Sequence, residues 1–285
     1  LRLPAELIDI ILDCLSPESV ICLALTCRAL FVRYFPRPAP LSDTAKAAFL
    51  QYLERDHPSL YFCHDCIRLH TWHLTQTRHG IWVCSGPCLR IRGVNGLMGS
   101  HVSEYGMNFT YSLARIVMNR HLYGSAHGPS AKDMAVTNYI RNVIHDISIA
   151  RSWSAKIINN GLYLHGRMVY QSLSKDGDFR TLRDSLQHLH RLLICPHLEP
   201  PSNYPAWVHV IPELVWDCDS PDDVGPMSGK IRSCRVCFTD YRIDIVLREQ
   251  RSYCGIAWPR GENWAVEINR WHKLGGCRSP YDLEW

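Results

Sequence analysis

Leu3-Pro4-Ala5-Glu6-Leu7-Ile8-Asp9-Ile10-Ile11-Leu12-Asp13-Cys14-Leu15 is the stretch whose reading decides the architecture of this chain. Wound at about 100° per residue, it gathers Leu7, Ile8, Ile10, Ile11, Leu12, Cys14 and Leu15 on an arc of roughly 200°, with Glu6, Asp9 and Asp13 on a narrow acidic stripe opposite. One neighbour does not cover an arc that wide, so the helix has apolar surface for two partners. Pro4 suits a first helical turn, where its missing N–H is not needed, and Glu6 has the sign that a helix N-terminus favours. The helix is expected to begin there and stop near Leu15.

Ser16-Pro17-Glu18-Ser19 reads as an N-cap with proline behind it, opening a second apolar helix through Leu25. Thr26-Cys27-Arg28 then separates it from Ala29 to Phe35. Taken in order, Leu3, Pro4, Glu6, Leu7, Ile11, Leu15, Ser16, Pro17, Leu23, Thr26, Cys27 and Arg28 resemble an F-box, over about an eighth of the chain. The resemblance implies a three-helix module that docks on the Skp-type linker of Skp-cullin-F-box ubiquitin ligases and through it on the cullin. It places Leu3, Pro4, Leu7, Ile11 and Leu15 at the linker interface, and Ile8, Leu12, Leu23 and Leu30 inside the module. On periodicity alone, an apolar αα-hairpin opening a globular domain shows similar residues and needs no partner.

A chain of 285 residues, 46% apolar and 20% charged, has room for a small N-terminal module and one substantial domain. No segment approaches the roughly 18 uncharged apolar residues of a membrane helix, so no span is expected. The net charge of +4 is scattered, without a basic run, and predicts no nucleic-acid partner. Thirteen cysteines, an odd number and many in close pairs, fit a reducing compartment, cytoplasmic or nuclear, better than a disulfide framework. The chain starts with Leu1 rather than Met, as expected of a fragment or a processed form.

Pro36, Pro38 and Pro40 stiffen the chain and mark a boundary. Residues 1–36 are then the F-box, 37–41 a linker, and 42–285 a second domain with a cysteine-rich segment at 61–91. Ser42-Asp43 caps a helix running to about Asp56, and Tyr111 to Leu122 forms another, with Leu113, Ile116 and Val117 inward. Asn159-Asn160-Gly161 between two alternating runs signals a β-hairpin. Phe179, Leu182, Leu186, Leu189 and Leu193 recur at helical spacing and predict a helix from Asp178 to Ile194. Leu198 to Gly229 reads as an irregular connection, and Ile231 to Leu274 as antiparallel strands. The fold class is α+β: a three-helix F-box module followed by a cysteine-rich domain of mixed helix and antiparallel sheet. No repeat is visible.

Two cysteine constellations have metal-ligand spacing. Cys63 and Cys66 with Cys84 and Cys88 give C-x2-C-x17-C-x3-C, close to a zinc ribbon, with His70 and His73 as substitutes for Cys84 or Cys88. Cys195 and His197 with Cys234 and Cys237 form the second, in which Cys218 could replace a partner. In both cases reduced cysteines serving as small buried hydrophobes explain the residues without metal. Cys14, Cys22 and Cys27 lie on apolar helix faces and read as core.

The Tyr61-Phe62-Cys63-x-x-Cys66-x-x-Leu69-His70 block, Cys195-Pro196-His197, Cys234-x-x-Cys237-x-Thr239-Asp240-Tyr241 and Cys277-Arg278-Ser279-Pro280-Tyr281-Asp282-x-x-Trp285 resemble a group of fungal F-box proteins of unassigned specificity. No P-loop, G-x-S-x-G, H-E-x-x-H or dinucleotide turn is present, so no catalysis is expected. The reading is a non-catalytic substrate adaptor of a ubiquitin ligase with a protein target and structural zinc as its candidate cofactor. The alternative is a zinc-stabilised protein- or nucleic-acid-interaction module outside ubiquitination.

Overall fold

Proline and hydroxyl side chains set where the helices start. In the computed structural model, which describes residues 3–35, 41–76, 82–85, 102–104, 107–142, 147–173, 179–187, 194–195, 227–249 and 262–282, helix α1 spans Ala5–Asp13 behind Pro4. Helix α2 spans Pro17–Ala24, with Ser16 at its N-cap, and α3 spans Arg28–Tyr34. Helix α4, Asp43–Asp56, starts where the Ser42 hydroxyl accepts from the Ala45 N–H at 3.2 Å. Four short strands follow: β1 Leu60–Cys63, β2 Arg68–Thr71, β3 His73–Gln76 and β4 Trp82–Ser85. Next come β5 Val102–Glu104, β6 Met107–Phe109 and helix α5 Tyr111–Tyr123, capped by the Thr110 hydroxyl. The later elements are β7 Val136–Asn142, β8 Ile147–Ile158, β9 Gly161–Ser172, α6 Phe179–Gln187, β10 Met227–Ser228, β11 Arg232–Ser233, β12 Thr239–Glu249 and β13 Glu262–Gly275. The architecture is mixed α+β.

The chain forms two compact units. The first takes in residues 1–75, 84–99 and 110–129, and the second 76–83, 100–109 and 130–285. In the first unit α2 packs on both α3 and α4, so the helix after the proline stretch shares a unit with the helices before it. The proline linker at 36–40 lies outside the described residues.

Helix α1 is not arranged as an amphipathic helix usually is. Asp9, from its acidic stripe, accepts a hydrogen bond from the Tyr34 hydroxyl at 2.8 Å and from Arg33 Nη2 at 3.3 Å, both on α3. None of the helix's own residues is buried. Within the module only Ile21 and Ala24, on α2, are buried. That small interior explains a correction: Cys14 and Cys27, expected in the core, are exposed, one at the C-cap of α1 and the other at the N-cap of α3, and Cys22 is half-buried.

A buried ion pair ties α4 to α5 and β1. Glu54 and Arg115 are both fully buried, joined at 2.6 Å between Oε2 and Nη2 and at 2.8 Å between Oε1 and Nε. Glu54 Oε1 also accepts from the Phe62 N–H at 2.9 Å and from Asn119 Nδ2 at 2.8 Å. Burial opposes ionisation of Glu54, but the Arg115 guanidinium and these N–H donors outweigh it and hold its carboxyl below the ordinary range. Neither residue announces the pair in sequence.

The second unit is built on a seven-stranded antiparallel sheet, ordered β10-β12-β13-β9-β8-β7, with β11 also on β12. The β8–β9 hairpin turns at Asn159 and Asn160, with φ of 50° and 59°, and closes on the Ile158–Gly161 pair. Asparagine tolerates this left-handed backbone, and a turn of that hand matches the twist of the strands. Alternation along the strands gives each face its character. On one face Ile149, Tyr170, Val266 and Ile245 line up across four strands and pack against Phe179, Leu182 and Leu186 of α6. The helix predicted to reach Ile194 is described as helix only over Phe179–Gln187, and Ile194 lies in a bend whose carbonyl accepts from Arg270 Nη1. The connection expected over 198–229 lies outside the described residues except at Met227 to Gly229, where a two-residue strand pairs with β12.

Candidate functional site

Three features carry chemistry. The first is the apolar side of α1, where Leu3, Pro4, Leu7, Ile10, Ile11 and Leu15 are all exposed, Leu3 to 53% and Ile10 to 60%. Ile8, Leu12, Leu23 and Leu30 are half-buried. Phe31 and Phe35, stacked at 4.5 Å on α3, are exposed as well. Large side chains left in water beside a small interior are the usual mark of a surface that another protein covers.

The second feature is the β1–β2 hairpin. Strand pairing brings Cys63 opposite Arg68 and Tyr61 opposite His70, with His64 to Ile67 in the turn. Ile67 takes φ 48°, a backbone conformation that a β-branched residue seldom adopts. The turn gathers Cys63, Cys66 and His70, whose ligand atoms lie within 4.8 Å of one another. Cys66 Sγ and His70 Nε2 are 2.9 Å apart. Burial, aided by the nearby Arg68, lowers the His70 pKa and so favours the neutral imidazole, the form that ligates metals. His70 was named as a substitute ligand, and here it stands with the first cysteine pair. Cys88 lies outside the described residues, as does the side chain of Cys84, whose backbone is in β4. His64 is drawn elsewhere, its Nε2 lying 3.3 Å from Arg115 Nη1, which ties the hairpin turn to the buried ion pair.

The third feature lies in the second unit, where Cys195, Cys234 and Cys237 converge within 4.8 Å of one another. Cys195 follows Ile194, and the other two sit in the turn before β12. Cys234 is buried and Cys237 half-buried. The Val236 N–H points at Cys234 Sγ at 3.4 Å. Burial alone would push the Cys234 thiol up, but the Cys237 and Val236 N–H groups and the thiols of Cys237 and Cys195 bring it below the ordinary range, whereas burial pushes Cys237 up. His197, the fourth predicted member, lies outside the described residues, as does Cys218. None of the described cysteines is in a disulfide.

The sheet face opposite α6 adds a polar floor. Arg167 pairs with Glu267 through Nε at 2.5 Å and Nη2 at 3.0 Å, Arg248 Nη2 joins the other side of the same carboxylate, and Asn269 Nδ2 donates to it at 3.2 Å. Beside this cluster Thr137, Tyr139, Ser148, Ser152 and Gln171 line a cavity of about 630 Å³. Sequence reasoning missed this surface, although the alternation of Ser148, Ala150 and Ser152 with buried neighbours was its available signal. No helix among the described residues is long and apolar enough to cross a membrane. No known protein family, curated protein or solved structure matches the chain.

Proposed function

We propose that the chain is a non-catalytic adaptor whose N-terminal helices dock on a Skp-type linker of a ubiquitin ligase while the second unit holds a target protein. One observation carries this reading most: α1 turns Ala5, Ile8 and Leu12 partly inward and leaves Leu7, Ile10 and Ile11, the rest of its wide apolar arc, exposed. A helix that only packed its own domain would carry a narrower apolar stripe. The ordered residues from Leu3 to Arg28 that resemble an F-box supply the occupant, with Leu3, Pro4, Leu7, Ile11 and Leu15 as contacts. Ubiquitin transfer would then be promoted by proximity, through the raised effective concentration of a held target. The polar sheet face and its cavity are the surface for that target, and the compartment is cytoplasmic or nuclear.

Zinc completes the proposal at the β1–β2 hairpin. Two thiols and a neutral imidazole on a strained turn suit a tetrahedral soft-ligand ion, which would add its binding free energy to a hairpin of only four residues per strand. The same clusters favour the second reading, a zinc-stabilised interaction module without a linker.

Co-purification with a Skp-type linker distinguishes the two. The adaptor reading expects a stoichiometric complex that Leu3→Asp with Ile11→Asp abolishes. A wild-type chain that stays free of the linker, or a double variant that binds equally well, overturns it.

A further inference from the structure

Cys195, Cys234 and Cys237 come from segments about forty residues apart in sequence, yet their sulfurs share one small volume. A disulfide does not account for that convergence, because it would use two thiols and strand the third. Hydrophobic burial does not account for it either. The turn leaves Val236 at 71% exposure and Phe238 at 50%, while it buries the smaller Cys234 and half-buries Cys237. By apolar area alone, burying the larger Val236 and Phe238 would gain more.

Polar groups hold two of the three sulfurs in place. An amide N–H is aimed at Cys234 Sγ, and the Thr239 hydroxyl lies 3.2 Å from Cys237 Sγ with His272 Nδ1 behind it at 2.5 Å. Such outer partners orient metal ligands and tune their charge. The Cys195 side is fixed as well. Arg270 holds the Ile194 carbonyl at 3.2 Å and is itself stacked over the Trp153 ring at 4.1 Å. Three thiolates around an ion at about 2.3 Å stand about 3.8 Å apart, inside the observed limit. Sulfur donors select zinc over magnesium or calcium.

We infer that Cys195, Cys234 and Cys237 form a structural zinc centre that fastens the segment after α6 to the β11–β12 turn. Among the described residues no fourth His, Cys, Asp or Glu joins the three. The inference stands apart from linker docking, since a chain that binds no linker would hold this ion equally well.

Cys237 provides the test, because it is half-exposed and should react when it is not coordinated. Full-length protein purified under reducing conditions is alkylated with and without a zinc chelator, and labelled cysteines are located by peptide mass spectrometry. The expected result is protection of Cys237 until chelation, labelling at least about tenfold faster afterwards, and protection restored by zinc chloride but not magnesium chloride. Equal labelling with and without chelator overturns the inference, and so does a disulfide between any two of the three. Metal content gives a second reading: Cys234→Ser should lose one ion per chain relative to wild type, whereas Cys63→Ser should leave Cys237 protected. Should Cys234→Ser fail to fold, the wild-type alkylation pattern still decides.

Discussion

Replacing Glu54 with glutamine leaves the Arg115 guanidinium in a site with no water and no counter-charge. Both side chains are fully buried, and the carboxylate accepts from Arg115 twice, from the Phe62 N–H and from Asn119. A glutamine oxygen in the place of Oε1 still faces three of these donors, but the NH2 group then meets the fourth, Arg115 Nη2. Removing one member of a buried pair costs about 3–5 kcal/mol, against roughly 5–15 kcal/mol of total stability for a folded domain. In a unit of this size that corresponds to a fall in the first unit's melting temperature of roughly 13–22 °C. Differential scanning calorimetry should show that transition shifted while the transition of the second unit stays in place. Because the Glu54 pKa is lowered on folding, its contribution is present above the unfolded value of about 4.3 and is lost as pH falls through the folded value. Glu54→Gln should therefore flatten the acid limb of the stability profile. The double variant Glu54→Leu with Arg115→Met should be more stable than Glu54→Gln, because no charge is left buried alone. A cost below about 1 kcal/mol for Glu54→Gln would refute this reasoning.

Gly166→Ala should destabilise the second unit by about 1–3 kcal/mol, measured by urea denaturation, since a Cβ there meets the Trp153 ring at 2.7 Å and Arg270 Nε at 2.8 Å and must spread the stacked pair. An unchanged midpoint would show that the stack yields freely. Asn160→Val should cost about 1–2 kcal/mol, while Asn160→Gly should be neutral or slightly stabilising, because the position needs φ near 59°. Equal midpoints for the two variants would show that the turn relaxes to another form.

Much of the fold could be read in local chemistry. Ser42 and the Asn159-Asn160 pair act within a few residues of themselves, so their roles as cap and turn former were visible in sequence, whereas the Thr110 cap was not read. Long-range pairings were harder. Glu54 and Arg115 meet across 61 positions, and the only sign was an arginine interrupting the apolar run Leu113 to Met118. The thiol clusters were partly legible: Cys195 was grouped with Cys234 and Cys237, and Cys63 with Cys66, but His70 was named only as a substitute ligand, since its place beside Cys66 depends on hairpin register. Cys14 and Cys27 were misplaced because an apolar helix face was taken as a buried one. On α1 Ile8 and Leu12 turn partly inward, while Leu7, Ile10, Ile11 and Cys14 stay exposed.

That exposed apolar surface is the centre of the account, and its direct measurement is the affinity of the intact chain for a purified Skp-type linker by isothermal titration calorimetry. Burying the exposed side of α1 should give saturable binding with a negative heat-capacity change. Ile11→Asp should weaken that binding by about 2–4 kcal/mol, on the order of 100-fold in Kd, without altering the melting temperature, because Ile11 is already exposed. No heat of binding from the wild-type chain, or an Ile11→Asp variant that binds as tightly, would contradict the claim that this helix face exists to dock.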